Sequence, residues 1–332
     1  MVIDCHGHVT APQGLAAYHA GLLAGRAKRG GEQLRFTDEQ IEQGIRHSRW
    51  GDAFELLDRV GTDMQFISIR PFTAAMYLTP HNIVRSYITA VNDTIAHTVR
   101  LFPGRYRGVC ALPQGPGMPA REWVDELDRC ARDPGFVGVI INPDPGEMGD
   151  DSTPGLGDEY WYPLYEKMVQ HDMPGLIHGA SCGLSRLSYS THFINEETIA
   201  VTNLLDSNVF NDFPNLKLIV SHGGGAVPFQ FARWAAGWHR RWGGHWGEPL
   251  RKLYYDSCVY DKRSLRLLLE IVGADNVLFG TENPGTGSQV NPDTGKSIDD
   301  LAPLIRELLP EAEAGKVLEG NARRLFSRYK PA

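Results

Sequence analysis

Short runs of Val, Ile and Leu recur along the chain at 1–5, 65–69, 106–112, 136–141, 174–177, 216–220, 253–256 and 277–279. Between them lie longer stretches whose apolar residues repeat every three or four positions, at 52–60, 81–101, 119–133, 160–172, 198–212, 227–242, 264–272 and 301–309. Continuous apolar runs alternating with helical periodicity are the mark of parallel strands linked by crossover helices. Eight such units predict a closed (β/α)₈ TIM barrel occupying 1–332 as a single α/β domain. Three segments exceed the minimal barrel: an insertion at 11–51 after the first run, and Gly/Pro/Asp-rich loops at 144–158 and 284–298. All three leave the C-terminal ends of strands, the face where barrels build their active sites, so they are expected to cover a site or to form surface insertions there.

Composition narrows the function classes. A net charge of −7 without a Lys/Arg block speaks against nucleic acid as a partner. No apolar run reaches the roughly 20 residues of a membrane helix, so no membrane association and a cytoplasmic location are expected. The five cysteines include no C-x-x-C pair, so neither a disulfide framework nor a thiolate zinc site is predicted. The aromatic stretch "FARWAAGWHRRW" suits a homo-oligomer interface, dimer or higher, as well as packing on the barrel.

Candidate chemistry gathers at the strand ends. The chain opens "MVIDCHGH", and side chains two apart on a strand share a face, so His6 and His8 can grip one metal. The fifth run ends "GLIHG" with His178, the sixth "IVSHGGG" with His222, and the eighth leads into "LFGTENPG" with Glu282. In a barrel these residues ring one mouth. Four imidazoles and a carboxylate suit zinc or another borderline divalent ion.

With these motifs the sequence resembles the amidohydrolase superfamily, in the branch of decarboxylases, hydratases and hydrolases acting on carboxylated ring-cleavage products. The resemblance runs from "DCHGH" to the terminal "EGNARRLF". That branch commonly carries Asp on strand eight, and here Glu282 replaces it. "CHGH" together with "GTENPG" is most similar to the 4-oxalomesaconate hydratases of protocatechuate and gallate breakdown. Binuclear members bridge two metals with a carbamylated lysine ending strand four, a position where "VIINPDP" offers Asn142. The resemblance therefore implies one divalent ion, with zinc the first expectation, held by His6, His8, His178 and, directly or through water, Glu282.

The implied reaction is hydration of a conjugated double bond, with Glu282 and His222 as the catalytic residues and a small polycarboxylate as substrate. Arg70 in "SIRPF" is the first candidate for a bidentate carboxylate contact, followed by Arg186 in "SCGLSRLS", Asn142, and His192 and Asn195 in "THFIN". The alternatives are a metal-dependent decarboxylase of an aromatic or muconate-type acid, then a lactone or amide hydrolase. A barrel that binds metal and acids without catalysis is the non-enzymatic reading.

Overall fold

Each of the eight apolar runs forms a strand in the computed structural model, which describes residues 1–9, 12–25, 34–48, 50–147, 152–180, 183–245 and 247–331. The strands are β1 (Ile3–His8), β2 (Met64–Ser68), β3 (Tyr106–Cys110), β4 (Phe136–Ile141), β5 (Gly175–Ile177), β6 (Leu218–Val220), β7 (Tyr254–Asp256) and β8 (Val277–Leu278). They pair in sequence order, every pair parallel. The seam between last and first strands closes through Cys5 N–H donating to Phe279 O at 2.9 Å and Glu282 N–H donating to His6 O at 2.7 Å. Apart from the half-buried Tyr254, the strand residues are buried, because barrel strands face a packed interior on one side and helices on the other. This is the predicted (β/α)₈ barrel.

The helices are α1 (Gln13–Gly25), α2 (Asp38–Arg46), α3 (Ala53–Arg59), α4 (Pro71–Ala74), α5 (Asn82–Leu101), α6 (Val124–Ala131), α7 (Tyr162–His171), α8 (Tyr189–Leu205), α9 (Val209–Asp212), α10 (Phe231–Trp242), α11 (Lys262–Val272), α12 (Ala302–Leu308), α13 (Glu311–Gly315) and α14 (Asn321–Leu325). α5 shows why they form: Ile83, Tyr87, Val91, Ile95 and Val99, four apart, line its buried face. α11 starts where the Asp261 carboxylate accepts from the Arg263 and Ser264 amides, and it buries Leu265, Leu268, Leu269 and Val272. No helix among the described residues is long and apolar enough to cross a membrane.

Two boundaries differ from expectation in ways that bear on the site. β1 does not stop at Cys5 but runs to His8, paired through Gly7 with Ile67 and His8 with Ser68. Between Asp4 and Gly7 the register shifts by one residue, a bulge in which the Asp4 carboxylate accepts from the His6 amide at 3.0 Å. α8 begins at Tyr189 instead of 198, because the Ser188 hydroxyl caps the Thr191 amide, and the 198–212 stretch divides into α8 and α9 at Asp206. The insertion at 11–51 contains α1 and α2, with 11, 26–33 and 49 outside the described residues.

The end of the chain supports the opposite face of the barrel. A π-helical turn at Lys316–Gly320 leads into α14, and Phe279 N–H donates to Val317 O at 2.9 Å. Phe326 follows, packing edge-on to Phe66 with ring centroids 4.8 Å apart. Burying such a ring contributes roughly 1.5–3 kcal/mol. Cys5, Cys110, Cys130 and Cys258 are buried free thiols, and Cys182 lies outside the described residues.

Candidate metal centre and active site

β1 and the segments following β5, β6 and β8 bring His6, His8, His178, His222 and Glu282 to one mouth. The His6 ring centroid lies 5.1 Å from His8, 4.9 Å from His178 and 5.6 Å from His222. Donor atoms of His8, His178 and Glu282 fall within 4.8 Å of one another, as do those of His6, His178 and His222.

Each ligand-type histidine is held from behind. His6 Nδ1 donates to Asp256 Oδ2 at 2.7 Å, His8 Nδ1 to Ile69 O at 3.1 Å, and His178 Nδ1 to Gly179 O at 2.5 Å. Spending Nδ1–H on these acceptors leaves the lone pair on Nε2, the tautomer a metal requires. The Nε2 atoms of His6 and His178 are buried without a hydrogen-bond partner. Burial, then the surrounding positive charges, pushes His8 and His178 well below the ordinary histidine range, so both are neutral imidazoles. The donor set therefore fits a divalent ion.

His222 is different. Its Nδ1 donates to both oxygens of the buried Glu197 carboxylate, at 2.8 and 2.9 Å, and its Nε2 faces Glu282 Oε2 at 3.8 Å. Burial alone would lower its pKa, but the two carboxylates override this and hold it well above the histidine norm. Glu282 responds in the opposite sense: burial would raise it, and the facing His222 imidazolium keeps it well below the glutamate norm. Glu282 Oε2 also accepts from Tyr260 OH at 2.7 Å. The pair is a protonated imidazole opposite an ionised carboxylate.

Backbone geometry makes this placement possible. His222 (φ 51°) and Glu282 (φ 59°) both adopt the left-handed conformation, which costs a residue with a side chain about 1–2 kcal/mol. The run Gly223–Gly225 continues at positive φ, and a Cβ on Gly225 would lie 2.5 Å from Ile194 O. Only glycine lets this turn pass so close under α8. α8 in turn carries Phe193, which stacks on His222 at 5.7 Å between centroids, and Glu197.

A cleft of about 280 Å³ opens on the centre, lined among others by His8, Trp50, Arg70, His178, Tyr189 and Glu282. A second recess of about 290 Å³ shares Tyr189, Glu282 and Thr286 and is walled by Phe193, Phe229 and Val259. A larger depression of about 680 Å³ beside α1 and α2 adjoins the first through Trp50, Arg70 and Phe72. Arg70 donates to Pro284 O, and its guanidinium lies 5.9 Å from the Trp50 ring centroid.

The remaining substrate candidates stand elsewhere. Asn142 is buried at the end of β4, its Oδ1 accepting from the Asp144 amide at 3.0 Å. Arg186 is exposed in the turn before α8, Asn195 is exposed on α8, and His192 is buried on that helix; none of the four lines the 280 Å³ cleft. Two functional residues escaped the motifs. Asp256 ends the seventh apolar run and could have been found by the same strand-end rule that found the histidines. Glu197 sits one position before the expected start of its helix.

Similarity to known proteins extends over nearly the whole chain. A family model described as amidohydrolase matches residues 3–328. The chain is 34% identical to a 2-keto-4-carboxy-3-hexenedioate hydratase of Sphingobium sp., over 99% of this chain and 96% of that one. It superposes on the crystal structure of a 4-oxalomesaconate hydratase from Rhodopseudomonas palustris with a TM-score of 0.87 at 30% identity, covering 99% and 96% of the two chains. A gamma-resorcylate decarboxylase of Polaromonas sp. is 28% identical over 82% of this chain and 85% of its own. A dihydroxybenzoic acid decarboxylase structure from Polaromonas sp. with bound manganese shares the fold at a TM-score of 0.71 and 22% identity, covering 98% and 96%. The resemblance read from the strand-end motifs holds over the whole barrel, and the chain belongs to the amidohydrolase family.

Proposed function

We propose that the protein is a metal-dependent hydratase, a hydro-lyase acting in the cytoplasm, that adds water to the conjugated double bond of an oxo-polycarboxylate such as 4-oxalomesaconate. The observation that carries this reading is the His222–Glu282 pair, a proton donor and a proton acceptor facing each other at 3.8 Å beside the ligand cluster. Similarity to two hydratases over nearly the full chain supports it. His6, His8 and His178 would hold one divalent ion, zinc by preference, with Glu282 next to it or bound to it. Such an ion supplies Lewis acidity towards water and carbonyl groups.

The protein's own residues account for the proton movements. Ionised Glu282 accepts a proton from water as the oxygen adds to the alkene carbon β to the ketone. The π electrons move onto the ketone oxygen, giving an enolate. His222, held protonated by Glu197, stabilises that oxygen and returns a proton to the α carbon, completing net addition of water. Arg70 is assigned a substrate carboxylate because, of the expected substrate contacts, it is the one lining the cleft.

Decarboxylation is the competing reaction, favoured by the decarboxylase relatives at lower identity. Incubation with 4-oxalomesaconate decides between them. Loss of the conjugated chromophore with a product heavier by one water is expected; release of CO₂ would overturn the hydratase reading.

A further inference from the structure

The histidines at the barrel mouth do not exhaust the buried ligand-type side chains. Asp144, His192 and Glu196 form a second cluster, with donor atoms all within 4.8 Å of one another. His192 and Glu196 lie four residues apart on α8 and so share a helix face, with His192 Nδ1 4.0 Å from a Glu196 carboxylate oxygen. Asp144 joins them from the loop leaving β4. His192 is 1% exposed, and Asp144 and Glu196 are each 7% exposed.

The imidazole of His192 is the telling group. Both of its ring nitrogens are buried without a hydrogen-bond partner, although the ring stands beside two carboxylates. An imidazole so placed loses its hydration without replacement, which is unfavourable for each unsatisfied nitrogen. The carboxylates are crowded as well. Burial, then the charges of Asp144 and Glu197, pushes Glu196 up to about 7. A cation among the three side chains would offset the carboxylate repulsion and accept the imidazole lone pair.

We propose that Asp144, His192 and Glu196 bind a second divalent cation, separate from the one at the barrel mouth. One nitrogen and two carboxylate donors suit a borderline ion such as manganese or zinc, with water completing the coordination. None of the three residues lines either recess of the active site, so this ion does not meet substrate. Its place is structural. It ties the loop after β4 to α8, the helix that presents Phe193 and Glu197 to His222.

Metal stoichiometry tests this without recourse to activity. The full-length protein is stripped with a chelator, reloaded with excess manganese or zinc, desalted and analysed for metal per chain. Wild type is expected to hold two ions, Glu196→Gln and His192→Ala one each, and His178→Ala one. In Glu196→Gln, the metal-induced rise in melting temperature should be smaller than in wild type. Wild type saturating at one ion per chain overturns the proposal, whether water or a basic side chain of another copy then satisfies His192. Two ions retained by Glu196→Gln overturn it equally. Should His192→Ala fail to fold by circular dichroism, the near-isosteric Glu196→Gln and Asp144→Asn decide the question.

Discussion

Asp256 Oδ2 lies 2.7 Å from His6 Nδ1, and both side chains are fully buried. The same carboxylate accepts the amides of Gly223 and Cys258 through Oδ1, so one residue at the end of β7 fixes a ligand on β1 and the turn that carries His222. Removing the charge of Asp256 while preserving its shape therefore weakens ligand orientation from two directions. Asp256→Asn is expected to lower metal affinity by roughly 10–100-fold, the usual cost of losing such a partner. Competition against a chelator of known affinity measures it, and wild-type affinity would show that His6 needs no anchor.

Glu282→Gln keeps volume and hydrogen bonding but removes nearly all basicity. A kcat lower by at least about a hundredfold is expected, within the range of general acid–base catalysis. Metal content must be measured on the same sample, because loss of a ligand would mimic the effect. A variant with full metal and wild-type kcat would assign proton abstraction to another group.

Glu197→Gln is predicted to act through pH. The Glu197 carboxylate raises the His222 pKa, so its removal lets His222 lose its proton at lower pH. The alkaline limb of the kcat profile should move towards lower pH while activity persists on the acid side. A uniform loss at every pH, with no displacement of the limb, would reduce Glu197 to a packing role.

Arg70→Met should raise KM for a carboxylated substrate at unchanged metal content, since a cation in the cleft is lost and no ligand is touched. Unaltered kinetics would confine Arg70 to its contact with Pro284 O.

The barrel was legible in the sequence because parallel strands buried on both faces read as unbroken apolar runs, as in "FVGVII" of β4, which spans the expected 136–141. The errors fall where function interrupts that pattern. His6 and His8 are buried polar residues at the end of β1, and they made the strand look finished at Cys5. The first turns of α8 carry His192, Glu196 and Glu197 inward, so the face that packs against the barrel mouth has the composition of a solvent-facing one. Hydrophobic periodicity cannot register a helix whose buried side is polar. The strand-end rule found the mouth residues, whereas Glu197 needed the helix boundary that its own polarity obscured.

The seam between β8 and β1 has a consequence for how the protein comes into being. His6 and His8 are synthesised about 270 residues ahead of Glu282 and the segment after β8 that locks β1 in place. The Asp4 carboxylate waits for the same segment, since it accepts from Thr281 N–H at 3.1 Å and Oγ1–H at 2.6 Å. A nascent chain therefore exposes the histidines proposed to bind metal without the carboxylate and the anchors that gather them into one cluster. On that reading ion capture is a late event in biogenesis, and a chain truncated before β8 would lack both the proposed catalytic base and the closure of the strand that bears two of the three proposed imidazole ligands.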